Sequence, residues 1–301
     1  MNLSEVVVRS TDTRETLREK VELATILGTF QSTLTHFPYL RKIWTKNTEE
    51  ERLLGVSLTG IMDNMITNGT HGKNQLIDVL EDLRSHATSV NDSLAKSIGI
   101  NPSTAITCVK PSGTVSQLVN SASGIHARHA DYYLRRVRGD NKDPLTQFLI
   151  DSGIPHEPDV TKPQNTTVFS FPQKAPEGAV LRDHLSAIEQ LELWKIYQIH
   201  WCEHKPSITV SVKEDEWPEV GGWVYKNFDL ISGVSFLPHS DHTYRQAPYE
   251  DIDEEAYREL KEKMPKEVRW DDLSFYEQED NTAGMQTLAC SSDGCEVVDI
   301  G

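Results

Sequence analysis

Short β-branched runs alternating with long amphipathic stretches are what most constrains this chain. Residues 74–98 carry Leu76, Val79, Leu80, Leu83, Ala87, Val90, Leu94 and Ile98 on helical spacing, and Thr104-Ala105-Ile106-Thr107-Cys108-Val109 follows as a short buried strand. The pattern recurs on both sides. Residues 3–9 and 206–212 read as strands, as do 132–138, 166–171 and 231–237. Helices are expected after a Thr13 cap, over 183–203 and from Asp251 to Lys263, and a helix or turn from Val220 to Asp229. Residues 48–66 read as a further helix, capped by Thr48 and interrupted around Gly55 and Gly60. Strands separated by long helices predict an α/β fold with a mainly parallel sheet.

The 301 residues suffice for one large domain or two ordinary ones, and no apolar run has the length of a membrane span. The N-terminus lacks the basic-then-apolar layout of a signal peptide, so a cytoplasmic protein is expected. The net charge is -16 and is unevenly spread: residues 246–301 hold 5 basic and 16 acidic residues. So acidic a chain is a poor general partner for nucleic acid, though local donors can still hold a nucleotide.

Lys110-Pro111-Ser112-Gly113-Thr114 follows one strand and opens an apparent helix at Val115. Backbone N–H groups at such a turn, with the Ser112 and Thr114 hydroxyls, suit an anion; the same residues also suit a plain helix cap. Walker spacing is absent. Cys290 and Cys295 stand in a polar terminal segment with four residues between them. Two such thiols can exchange with a disulfide elsewhere, form half of a metal site, or be incidental. His200 and His204 share a helix face and read as a polar helix end or a zinc pair, and His126 and His129 are read in the same way. Arg136 and Arg138 share a strand face and point to carboxylates or to phosphate.

Taken in order, Asn2-Leu3-Ser4-Glu5-Val6-Val7-Val8-Arg9, Val109 to Ser116, Gly233 to His239, Gln246 to Glu250 and the terminal Cys-x4-Cys go beyond these patterns. Together they resemble the C-terminal half of a ribonucleotide reductase large chain, most closely the adenosylcobalamin-dependent kind acting on ribonucleoside triphosphates. The resemblance implies a ten-stranded α/β barrel enclosing a finger loop, with residues 1–270 its C-terminal portion and 271–301 a mobile acidic redox tail. It implies that Pro111, Ser112, Gly113, Thr114 and Val115 hold substrate phosphates. Cys290 and Cys295 would then re-reduce two barrel thiols at the expense of a thioredoxin-like reductant. The family's radical cysteine lies in an Asn-Pro-Cys-Gly-Glu type segment, which this sequence lacks, and Met1 stands where the family has a barrel cysteine. The resemblance therefore implies a fragment that is inactive alone, needs an N-terminal half as partner, and leaves adenosylcobalamin mainly to that half. Neither nucleic acid nor membrane is an expected partner. Two other readings are a reductase relying on a separate radical-generating subunit and a stand-alone nucleotide-binding or redox-carrier module.

Overall fold

A computed structural model describes residues 1–113, 115–239, 245–277, 287–291 and 294–298. In chain order its elements are β1 (Asn2–Val7), α1 (Arg14–Gln31), α2 (Lys42–Glu51), β2 (Leu54–Thr59), α3 (Lys73–Ile98), β3 (Thr107–Cys108) and the single turn α4 (Val115–Leu118). There follow β4 (Tyr132–Asp140), α5 (Pro144–Asp151), β5 (His156–Pro158), β6 (Thr166–Lys174), α6 (Ala187–His200), β7 (Ile208–Val212), α7 (Trp217–Lys226) and β8 (Val234–Pro238). The last are β9 (Tyr249–Asp251), α8 (Glu254–Lys263), β10 (Thr287–Ser291) and β11 (Gly294–Val298). The chain divides into two compact units, one of residues 1–131 and 175–241, the other of 132–174 and 242–301.

The first unit is a parallel sheet covered by helices. Strands β1, β2 and β3 pair in that order, β7 pairs with β8, and a parallel bridge from Val109 to Pro206 joins the two sets. Five parallel strands result, against the ten of the barrel implied by the resemblance. Val6, Val8, Val56 and Leu58 pack with Leu17 and Val21 of α1 and with Leu76, Leu80 and Leu83 of α3 in one buried core. Each large apolar side chain removed from water there contributes about 1.5–3 kcal/mol. Trp194 and Tyr197 of α6, and Trp201 just beyond it, enter the same core with their polar atoms satisfied. Trp194 Nε1 donates to the Pro206 carbonyl at 2.9 Å, Trp201 Nε1 to that of Cys108 at 2.8 Å, and the Tyr197 hydroxyl to that of Thr67 at 2.8 Å. These bonds tie α6 and its C-terminal end to β3, to the chain before β7 and to the segment before α3. Thr13 caps α1 as expected, in a reciprocal box with Thr16.

One expected helix is absent. Within 48–66 only the end of α2 is α-helical, a 3-10 turn follows at Ile61–Asp63, and Leu54–Thr59 between them is a strand buried at all six positions. A strand flanked by neighbours on both edges and covered on both faces has no polar alternation to betray it. Glu49-Glu50-Glu51 closes α2 rather than opening a helix, and Arg52 leaves it in the left-handed conformation at φ 49°.

The second unit is antiparallel, unlike the mainly parallel sheet expected, in the order β5-β6-β4-β9. Nine residue pairs join β4 to β6, from Tyr132↔Lys174 to Asp140↔Thr166. Phe148 of α5 meets the rings of Trp270 and Tyr276 at 5.4 and 5.5 Å, and the Tyr276 hydroxyl donates to Asp151 at 3.0 Å. Packing thus continues past Trp270. The rest of the expected tail falls largely outside the described residues, apart from the hairpin of β10 and β11.

Candidate functional site

Parallel strands deliver the chain to one edge of the sheet, and there residues 109–113 and 115–126 fold back across the ends of β1, β2 and β3. The Lys110 N–H donates to Ser57 Oγ at 3.0 Å, Thr59 Oγ1 donates to the Ala122 carbonyl at 3.1 Å, and the Gly124 N–H donates to Thr59 Oγ1 at 2.9 Å. Gly60 turns the chain away from β2 at φ +79°, with its N–H on the Ala122 carbonyl; a Cβ there would lie 2.5 Å from the Val8 carbonyl oxygen. Only glycine fits such an approach.

The expected phosphate loop crowns this edge. Pro111, Gly113 and Val115 are exposed and Ser112 is half-buried, while Thr114 lies outside the described residues. The Ser112 carbonyl accepts from Ser123 Oγ, and from Ser116 Oγ at 3.4 Å, so the loop is gripped from behind. Two details differ from the expectation. The helix that Val115 opens is one turn long, which leaves little dipole to aim at an anion. Gly113 is not among the glycines at positive φ, and a Cβ on it would meet nothing within 4 Å. What Gly113 leaves here is open space in front of the loop, not conformational freedom.

Behind the loop lies a buried ion pair that sequence reasoning missed. Arg128 Nε and Nη2 donate to Oδ1 and Oδ2 of Asp63 at 2.8 and 2.7 Å, with the two side chains 5% and 3% exposed. Arg128 also donates to the side chain and the carbonyl of Asn120, each at 3.0 Å, and the Ala122 N–H donates to Asp63 Oδ2 at 2.8 Å. His126 completes the brace: its Nδ1 faces the Ser123 carbonyl at 2.9 Å and its Nε2 accepts from the Thr209 N–H of β7 at 2.9 Å. Burial pushes the imidazole below its ordinary value.

A polar row runs across the sheet beneath the loop. Register places Glu5 of β1 opposite Ser57 of β2, and Ser57 opposite Cys108 of β3. Lys110, two residues beyond Cys108, brings its Nζ to 3.3 Å from Glu5 Oε2. Burial raises the Cys108 thiol to about 11, against a hydrogen bond from Ser57 and the nearby Lys110 charge, and burial raises Cys202 as well. Both are protonated thiols in the packed interior.

The other sequence candidates resolve separately. Cys290 and Cys295 stand directly opposite each other across β10 and β11. His200 faces Glu81 and His204 faces the Leu54 carbonyl, each at 2.8 Å, so the two do not converge; no cluster of three or more metal-ligating side chains occurs among the described residues. Arg136 and Arg138 take carboxylates, Glu250 at 2.5 Å and Asp159 at 2.8 Å, rather than phosphate. His129 meets Arg182 at 3.3 Å. No described helix is long and apolar enough to cross a membrane.

The fold of the chain is shared with a solved enzyme. The fold matches the crystal structure of a B12-dependent (class II) ribonucleotide reductase with a TM-score of 0.78 over 92% of this chain and 42% of that one, at 23% identity. In sequence, the chain is 26% identical to the adenosylcobalamin-dependent ribonucleoside-triphosphate reductase of Lactobacillus acidophilus, over 93% of its own length. It is 29% identical to that of Euglena gracilis over 84%, and 32% identical to the probable one of Dictyostelium discoideum over 75%. It spans 41%, 35% and 29% of those relatives. No family model matches. The chain is thus similar, over most of its length, to part of an adenosylcobalamin-dependent ribonucleoside-triphosphate reductase.

Proposed function

We propose that this chain is the C-terminal portion of a ribonucleotide reductase that converts ribonucleoside triphosphates to 2′-deoxyribonucleotides by thiyl-radical chemistry. An N-terminal portion completes the ten-stranded barrel and supplies the radical cysteine. The observation that carries the reading is the Pro111–Val115 loop, held from behind and open in front at the edge of a parallel sheet, on a fold shared with the class II enzyme.

Within that reaction this chain has two tasks. Pro111, Ser112, Gly113, Thr114 and Val115 seat the substrate phosphates, and the Asp63–Arg128–Asn120 brace fixes the loop. Cys290 and Cys295 carry the electrons. Reduction at the 2′ carbon releases the hydroxyl as water and takes two electrons and two protons from a barrel dithiol, which becomes a disulfide. The tail dithiol reduces that disulfide by exchange and is itself oxidised, then regains two electrons from a thioredoxin-like protein in the cytoplasm. The direct register of Cys290 with Cys295 supports closure of such a disulfide. Adenosylcobalamin, when bound, supplies the initiating radical. The groove of about 880 Å3 along β1 and α1 is lined by Leu23, Leu27, Phe30 and Leu34 together with Ser4, Glu5, Arg9, Lys20 and Gln31. On the family resemblance the cofactor is assigned mainly to the N-terminal portion.

The test uses the enzyme reassembled from both portions. Cys290→Ser and Cys295→Ser abolish turnover with thioredoxin and retain turnover with a small dithiol that enters the barrel directly. Equal loss with both reductants makes the cysteines structural, and no loss with either makes them incidental. Turnover by this chain alone, with adenosylcobalamin and dithiothreitol, refutes the division of labour.

A further inference from the structure

A triphosphate brings about four negative charges, and Pro111, Ser112, Gly113 and Val115 bring no positive one. The one-turn α4 adds little. Nearby cations are already engaged: Arg128 is held by Asp63 and Asn120, and Arg9 donates to the Asn120 carbonyl at 3.1 Å. Buried His126 accepts a backbone N–H at Nε2, which requires the neutral ring.

Lys110 differs. It immediately precedes the loop, its backbone is pinned to Ser57, and its side chain is 18% exposed. Its counter-ion is an unusual one. The Glu5 side chain is 8% exposed, and neither carboxylate oxygen has a hydrogen-bond partner; the 3.3 Å approach of Lys110 Nζ is not aligned as a hydrogen bond. A desolvated carboxylate without hydrogen bonds is a costly resting partner. The pair is loosely made and stands next to a site that lacks a cation.

We infer that Lys110 is the charge of the phosphate site, parked on Glu5 in the empty protein and turned to the substrate's polyphosphate on binding. The inference rests on the loop reading above and adds to it a specificity residue and its competitor. Glu5 opposes binding by holding Lys110 back, so the two residues have effects of opposite sign. A merely structural ion pair would weaken binding whichever partner were removed.

The experiment titrates the full chain with inorganic tripolyphosphate, followed by calorimetry and phosphorus NMR line broadening. Lys110→Gln weakens binding about tenfold and lowers its salt dependence. Glu5→Gln, nearly isosteric, tightens it. The double variant, which leaves no buried lone charge, binds like Lys110→Gln and serves where the single lysine variant fails to fold. Gly113→Val is the control for the loop. Loss with Gly113→Val but no change in the double variant overturns the role of Lys110 and leaves the loop standing. No binding by the wild-type chain, or no change in any variant, overturns both. Weaker binding with Glu5→Gln overturns the competition.

Discussion

Arg128→Ala removes the cation from a carboxylate that is itself 3% exposed. Asp63 would keep the Ala122 N–H at 2.8 Å as its one remaining donor among the bonds described, while Asn120 would lose two. Breaking a buried pair from one side costs about 3–5 kcal/mol, because the surviving charge stays desolvated. At roughly 2–4 °C per kcal/mol for a unit of this size, the melting temperature falls by about 6–20 °C. Urea unfolding followed by tryptophan fluorescence measures the loss, since Trp194, Trp201 and Trp223 all lie in the same core. Replacing both partners, Asp63→Asn with Arg128→Met, removes the stranded charge, and the cycle should show a coupling of about 2 kcal/mol or more. An Arg128→Ala variant within about 1 kcal/mol of wild type, or strictly additive single variants, would refute the view that this pair holds the loop.

Gly60→Ala is expected to cost about 2 kcal/mol or more in the same assay, from its φ of +79° and the Val8 carbonyl at 2.5 Å, whereas Gly113→Ala should fall within about 0.5 kcal/mol. The His126 ring sits below its ordinary 6.5 when folded, so on acidification the unfolded chain takes the proton first. Its contribution is therefore complete above about 6.5 and is lost as pH falls toward the folded value; His126→Asn should flatten that part of the stability profile, and an identical profile would exclude the effect. Cys108 and Cys202, buried and protonated, should resist iodoacetamide at pH 8 until denaturant is added; rapid labelling of the native chain, mapped by mass, would contradict their packing.

Where the sequence was legible, local signals and tertiary burial agreed. The Thr13 cap, the apolar stripe of α3 and the β-branched run of β7 each show one face to the core, and periodicity found all three. Strand β2 has no such signal because burial on every side erases its period, leaving Gly55 within it and Gly60 just after it as the clue. The loop at Pro111 was legible because its strand-turn layout is contiguous. Its brace was not: Asp63 and Arg128 are 65 positions apart, and nothing local marks either for the other. The Glu5–Ser57–Cys108 row is likewise a product of register, which the isolated segments do not carry.

Tyr276, seated on Phe148 and Asp151, fixes a point of departure for the dithiol. Cys290 lies thirteen residues beyond Glu277, so covalent geometry alone limits its travel to about 45 Å from there. On the proposed reading, a tether of that length would hold the dithiol within the assembled enzyme, at a local thiol concentration on the order of millimolar for the barrel disulfide. Dilution should slow the encounter with the external reductant while leaving the internal exchange untouched. The two halves of the proposed relay would then obey different kinetic orders within one assembled enzyme.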